Sequence, residues 1–352
     1  MRRVANGSFA AQAQGLDCGA MRRSTPLLTG PLLVMLCLLC AGTLQALCTG
    51  SDLRPRLTAD AGAQLDARVA ETPFARGNHW IASKGDRQIH VIGTIHTGDP
   101  RLSSIMRRLR PVIRSADVIL LETTRDAGQA ELSDTLKDTR LFRLSQPPFL
   151  SDLLPAPAWD QLTSRMAEDG YSLQSVARMQ PWFIGFFLEP SPCSGFGATL
   201  GLDDRIERMG QRTEIPIGAL EHAGAGVEAL ARQPLRDQAR LLELDLTSQM
   251  NPDDQVVTMT EAYFEERLAE GMLVQEWTLY RDVPVARTEV TRLLAGMQTR
   301  LIDDRTRAWI PVIERTPGKV LVVAVGGAHL PGPSGLPALL AARGYRLTRA
   351  PF

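Results

Sequence analysis

Two strand-like runs in this chain end in Gly-x-x-His, and they limit the fold more than any other feature. Gln88–Ile92 leads into Gly93-Thr94-Ile95-His96, and the wholly apolar Val320–Val325 leads into Gly326-Gly327-Ala328-His329. A helical pattern follows each motif, at Leu102–Ser115 and Leu336–Arg343, and then a second strand, at Asp117–Leu121 and Tyr345–Arg349. The runs DVILL and VLVVAV show no apolar/polar alternation, so each suits a strand covered on both faces, as in a parallel sheet. A right-handed crossover would set the two strands of such a unit parallel, with the helix on one face. The expectation is therefore an α/β fold: a mixed, largely parallel central sheet flanked by helices, with two pseudo-repeated strand–GxxH–helix–strand units. A strand pair, His79–Ser83 and Gln88–Ile92, turns at Lys84-Gly85-Asp86, and Ile215–Leu220 is a further buried strand ending at Glu221. Pro111 is expected to kink or divide its helix. Residues 130–200 and 228–316 read as mostly helical.

In such sheets, side chains just past the carboxyl ends of parallel strands share one crevice. His96, Glu122, Glu221 and His329 all follow apolar strands closely. Two imidazoles and two carboxylates there can bind a divalent metal with a position left for water. They can equally act without metal, one histidine serving as base and a carboxylate orienting it. A plainer reading also exists: each histidine is a polar cap closing a strand-to-helix turn, and each glutamate is an ion-pair partner. His79 and His90 read as surface or structural, and Trp182, Trp277 and Trp309 as core.

Lysine plus arginine equals aspartate plus glutamate, 39 against 39 in 352 residues, which argues against nucleic acid as a partner. Arg22 and Arg23 precede an uncharged, leucine-rich stretch from Pro26 to Cys48, read as a leader that exports the chain to the periplasm or envelope. Met21 is an alternative start. The membrane would be touched only through this segment, if it stays uncleaved. The divisions expected are 1–48 as leader, 49–72 as a polar, alanine-rich linker, and 73–352 as the domain. Four of the five cysteines fall in the leader, leaving Cys193 in the body as structural or incidental.

The segments HVIGTIHTGDPR (90–101), ADVILLETT (116–124) and VVAVGGAHLPGPSGLPALLAARGYRLTR (322–349) resemble the TraB/GumN family. GLDDRI (201–206), IPIGALE (215–221) and DDRTRAWIPVI (303–313) fall where that family has its middle motifs. The resemblance spans about residues 78–350. It includes the Tiki-type proteins, described as metal-dependent proteases, within a superfamily of erythromycin-esterase-like and ChaN-like proteins. By this resemblance the site is His96, Glu122, Glu221 and His329, all four as metal ligands, with Arg305 as a substrate or supporting group. The resemblance implies a metal-dependent, peptidase-like hydrolase with manganese, cobalt or zinc as its ion, and a peptide or small molecule as substrate. Two rivals follow from the same relatives: a ligand- or metal-binding envelope protein without turnover, and an accessory protein of polysaccharide export. The chain departs from the family in having His222 after the middle glutamate, where threonine is usual. It also has Arg305-Thr306 where an Arg-Asn pair is expected.

Overall fold

The computed structural model describes residues 48–185, 193, 200–283 and 285–352. The leader assigned to 1–48 lies outside them except for Cys48. Six strands form one sheet: β1 (His79–Lys84), β2 (Arg87–Thr94), β3 (Val118–Leu121), β4 (Ile217–Ala219), β5 (Val320–Gly326) and β6 (Arg346–Arg349), in the order β4-β3-β5-β2-β1-β6. The four strands β4, β3, β5 and β2 run parallel, while β1 runs antiparallel to both β2 and β6. The mixed, largely parallel sheet flanked by helices is thus the fold the chain adopts.

Strand β5 lies at the centre because its residues have no polar face to offer. Leu321, Val322, Val323, Ala324 and Val325 are at most 1% exposed. Burial of each larger side chain among them contributes about 1.5–3 kcal/mol relative to exposure. Alternation in the pleat divides them between two cores. Val322 and Ala324 pack with α2 (Leu102–Arg114) and α3 (Leu202–Arg212) on one face. Leu321, Val323 and Val325 pack with α4 (Asp304–Arg315) and α5 (Leu336–Ala342) on the other. A third core, around Leu150, Leu162, Met166 and Leu242, is built mainly by helices, within the chain between β3 and β5.

Three expectations need amendment. The two strand–GxxH–helix–strand units do not occupy equivalent places. The first crosses one strand, β5, to reach β3, whereas the second passes β2 and β1 to place β6 on the far edge. Pro111 does not divide its helix: α2 is continuous, and Pro111 sits in its last turn, where only one backbone bond is forfeited. The stretch 49–72, read as a linker, is anchored and partly helical. Thr49 and Ser51 bond the carboxylates of Asp253 and Asp254, and the Leu53 N–H donates to Thr258 Oγ1 at 2.9 Å. Helix α1 (Ala59–Glu71) follows, with Thr58 Oγ1 accepting the Ala61 N–H at its start. Composition hid this helix because only Ala61 and Val69 of its thirteen residues are buried. Cys193, read as structural or incidental, is disulfide-bonded to Cys48, 145 residues away.

His79 and His90 are both buried and bonded to each other. The His79 Nδ1–H donates to the Pro351 carbonyl at 2.9 Å, and His79 Nε2 faces His90 Nδ1 at 3.1 Å. Burial pushes His90 down to about 4 and lowers His79 as well. Unfolded, both titrate near the ordinary value of about 6.5. Between these pH values the unfolded chain binds more protons. Their stabilisation is therefore complete above about pH 6.5 and lost as pH falls through about 4, with His90 alone contributing about 3 kcal/mol. Urea unfolding at pH 7.5 and 4.5, wild type beside His90→Gln, checks this: the variant should lose less stability on acidification. Equal losses would show the pair to be silent.

Candidate active site

Register brings the two motifs together. On the adjacent parallel strands β2 and β5, Gly93 pairs with Val325 and Thr94 with Gly326, so both histidines emerge at the same edge of the sheet. On the other side of β5, Leu121 pairs with Ala324 and also with Ala219 of β4. The ladder continues past the strands, since Leu220 N–H donates to Leu121 O and Glu221 N–H to Glu122 O. His96, Glu122, Glu221 and His329 thus follow the carboxyl ends of four neighbouring parallel strands, the place where ligands collect in α/β sheets.

Gly326 is the common floor. A Cβ at this position would lie 3.1 Å from Glu122 Oε1, 3.7 Å from His329 Cδ2 and 4.0 Å from His96 Nε2. Its own N–H donates to Glu122 Oε1 at 2.6 Å. The other Glu122 oxygen accepts from Arg305 Nη2 at 2.7 Å. Arg305 also binds Glu221, through Nε at 3.1 and 3.2 Å and through a closer contact of Nη2. Trp309 Nε1–H donates to Glu221 Oε2 at 3.0 Å. Arg305 therefore stands between the two glutamates, and both Glu221 oxygens are engaged.

Each histidine is held from behind. His96 Nδ1 lies 3.2 Å from Asp203 Oδ2. His329 Nδ1 lies 2.7 Å from Thr306 Oγ1, whose hydroxyl donates to the Ile302 carbonyl at 2.6 Å. The Thr306 oxygen consequently accepts from His329, which fixes the Nδ1–H tautomer and leaves Nε2 with a free lone pair. That Nε2 is 3.9 Å from Glu122 Oε1. The His329 ring packs on Trp309, centroids 4.4 Å apart, and its side chain is 3% exposed, whereas that of His96 is 59% exposed.

These surroundings separate the charges. The Asp203 hydrogen bond pushes His96 up to about 9, against some burial. Burial pushes His329 down to about 4, although Glu122 opposes it. Burial alone would raise Glu122, but His329, Arg305 and the Gly326 N–H hold its carboxyl below the ordinary carboxylate range. Near pH 7 an imidazolium, a carboxylate and a neutral imidazole therefore surround one point.

As they lie, no three histidine, cysteine, aspartate or glutamate side chains among the described residues are grouped to hold an ion. The donor chemistry nonetheless suits a divalent ion at part of the expected set. His96 and His329 each present Nε2 with Nδ1 anchored by an oxygen, the arrangement that orients metal-binding histidines. Glu122 adds an ionised carboxylate. Glu221 fits less well, because Arg305 and Trp309 already occupy it. Three side-chain oxygens of this region, Thr94 Oγ1, Thr97 Oγ1 and Asp203 Oδ1, are buried with no protein partner, which suits a site that takes up a polar ligand.

Sequence reasoning named five residues found here, His96, Glu122, Glu221, His329 and Arg305, and missed four supports. Thr306 was read as a loss against the family's asparagine, yet it supplies the His329 hydrogen bond. Asp203 lay in a quoted motif without a role, although an acid in the first turn after a glycine is a recognisable signal. Trp309, expected in the core, is fully buried and also bonds Glu221. The buried Tyr263 donates its hydroxyl to the Gly93 carbonyl at 2.9 Å and fixes the entry to the first motif; no pattern in the sequence marks it.

Among known proteins, the chain is similar to the "Uncharacterized protein YbaP" of Escherichia coli (strain K12). The two are 25% identical over 276 residues, which is 75% of this chain and 94% of that protein. The protein of the same name from Shigella flexneri matches equally, 25% over 276 residues with the same coverage. The TraB/PrgY/gumN family matches residues 78–349, from the residue before β1 to the last residue of β6. Most of the chain, including both Gly-x-x-His motifs, lies within that match, and this protein belongs to the TraB/PrgY/gumN family.

Proposed function

We propose that this chain is an exported hydrolase that opens a peptide bond or a related amide or ester bond at the His96–Glu122–His329 centre. The observation carrying the proposal is the pair of histidines anchored at Nδ1, with His96 Nε2 at the floor formed by Gly326 and His329 Nε2 facing the ionised Glu122. At 3.9 Å, Glu122 Oε1 and His329 Nε2 are separated by the reach of one bridging water, whose proton either can take. Asp203 and Thr306 hold the two rings in orientation. Arg305 keeps Glu122 ionised and in place, and Glu221 holds Arg305. A divalent ion such as manganese, cobalt or zinc, held by His96, His329 and Glu122, would supply Lewis acidity and a more acidic bound water. Export is supported by the Cys48–Cys193 disulfide, which belongs to an oxidising compartment. Among the described residues no helix is long and apolar enough to cross a membrane.

The test is elemental analysis of the purified full chain after incubation with each metal, wild type beside His96→Ala and His329→Ala, together with mass spectrometry of a peptide mixture. The expected result is near one ion per chain and peptide cleavage, both lost in each variant. The melting temperature of His96→Ala should stay close to wild type, because that side chain is mostly exposed. Cleavage without any ion would transfer the reading to a metal-free histidine–glutamate centre. Stoichiometric binding without product would replace hydrolysis by a binding role.

A further inference from the structure

Behind Arg305 and Glu221 opens a pocket of about 470 Å³ that neither histidine lines. That volume falls within the range of small-ligand sites. The charges facing it are Glu221, Glu228 and Asp304 against Arg232, Arg300 and Arg305, with His222 at the rim. Each acid already meets a cation: Glu221 shares Arg305 with Glu122, Glu228 has Arg232, and Asp304 shares Arg307 with Asp303. His222 Nε2 is 3.8 Å from Glu228. Among the described residues, Arg300 alone of these cations lacks an acidic partner. Its Nη1 donates to the Gly296 carbonyl at 3.0 Å, and the rest of the half-buried guanidinium has no partner among the described residues. Ala225, Ala229 and Ala308 keep the remaining wall small and apolar.

The backbone has been adjusted to put Arg300 there. Residues Thr299–Asp303 form a π-helical turn between two α-helical stretches, with the Asp304 N–H bonded to the Thr299 carbonyl. In an α-helix, residues five apart point about 140° away from each other. Hydrogen bonds that span five residues bring such positions back onto one face, and π-turns of this kind recur at functional sites. Arg300 and Arg305, five apart, consequently line the same pocket, and Arg305 also reaches Glu122.

We propose that this pocket binds a carboxylate of a peptide ligand through Arg300, with Arg305 forming the wall between the carboxylate and the histidine centre. Arg300 is the lining cation left for an incoming anion, and a guanidinium pairs bidentately with a carboxylate. The pocket gives the centre a preference for peptides that carry a negative group next to the bond presented to it. The substrate class named here rests on the hydrolase reading; the carboxylate binding itself does not.

The test is NMR titration of the full chain with N-acetyl-dialanine, its C-terminal amide, and N-acetyl-aspartyl-alanine amide, each at millimolar concentration. The expected result is that the free acid binds at least about tenfold more tightly than the dialanine amide, roughly the 1.4 kcal/mol step of one charge-assisted contact. Tight binding of the aspartyl peptide amide as well would identify a side-chain carboxylate as an accepted source. Its failure beside a tight free acid would identify the chain terminus. Arg300→Ala should bring the acid to the affinity of the amide, and Arg300→Lys should keep part of the preference. His329→Ala should keep the whole preference while abolishing turnover, so that loss of hydrolysis and loss of this site are read separately. The proposal is overturned if no peptide saturates, if wild type binds acid and amide alike, or if a folded Arg300→Ala keeps the preference.

Discussion

Arg305→Ala is expected to destabilise the fold by about 3–5 kcal/mol, the usual consequence of removing one member of a buried ion cluster. The side chains of Arg305, Glu122 and Glu221 are 17%, 18% and 11% exposed, so little solvent reaches them. Without the guanidinium, two carboxylates remain on neighbouring strand ends with only the Gly326 N–H and the Trp309 indole as donors. Leaving them unpaired costs more than the pair gained by forming. The expected rescue follows from the same reasoning: Arg305→Met with Glu122→Gln and Glu221→Gln removes all three charges and should recover most of the loss. Urea unfolding of the single and triple variants measures both numbers. A single variant as stable as wild type would mean that the cluster contributes nothing to folding.

Gly326→Ala should do the opposite, sparing stability and disabling the site. The backbone of Gly326, φ −48° and ψ 134°, is open to alanine, so the substitution introduces no backbone strain. The added methyl instead projects into the space in front of the histidines, 3.1 Å from Glu122 Oε1 and 4.0 Å from His96 Nε2. Glu122 must move by a few tenths of an ångström or more, away from the Gly326 N–H that holds it. A displacement of about 1 Å at a reacting centre can cost on the order of 100-fold in rate, and a shift of a few tenths costs less, roughly tenfold. A loss of about that size in cleavage, with the melting temperature within a few degrees of wild type, is the expected outcome. Unchanged turnover would place the reacting centre elsewhere.

Much of the fold was legible because it rests on local pattern. Strand β5 carries six consecutive apolar residues, and no helix or exposed strand accounts for them as simply. The glycine after each strand and the histidine three residues later were visible for the same reason: a turn needs its residues at fixed offsets. Helix α1 was not legible, since two buried residues in thirteen leave too thin a stripe to read. The Cys48–Cys193 pairing was also missed, because a cysteine at the end of an apolar stretch looks like part of that stretch.

Local pattern fixes which residues stand at strand ends, and with them the four candidates His96, Glu122, Glu221 and His329, because strand, turn and helix are set by neighbours in the chain. How those four divide the work follows from the packing of the whole sheet. The strand order places β5 between β2 and β3, so Glu122 meets Gly326 and His329, whereas Glu221, one strand further out, is left to Arg305 and Trp309. Burial against Trp309 keeps His329 neutral, and Asp203, 107 positions along the chain from His96, charges it. Those effects depend on distances between residues far apart in sequence, and such distances exist only once the sheet has closed.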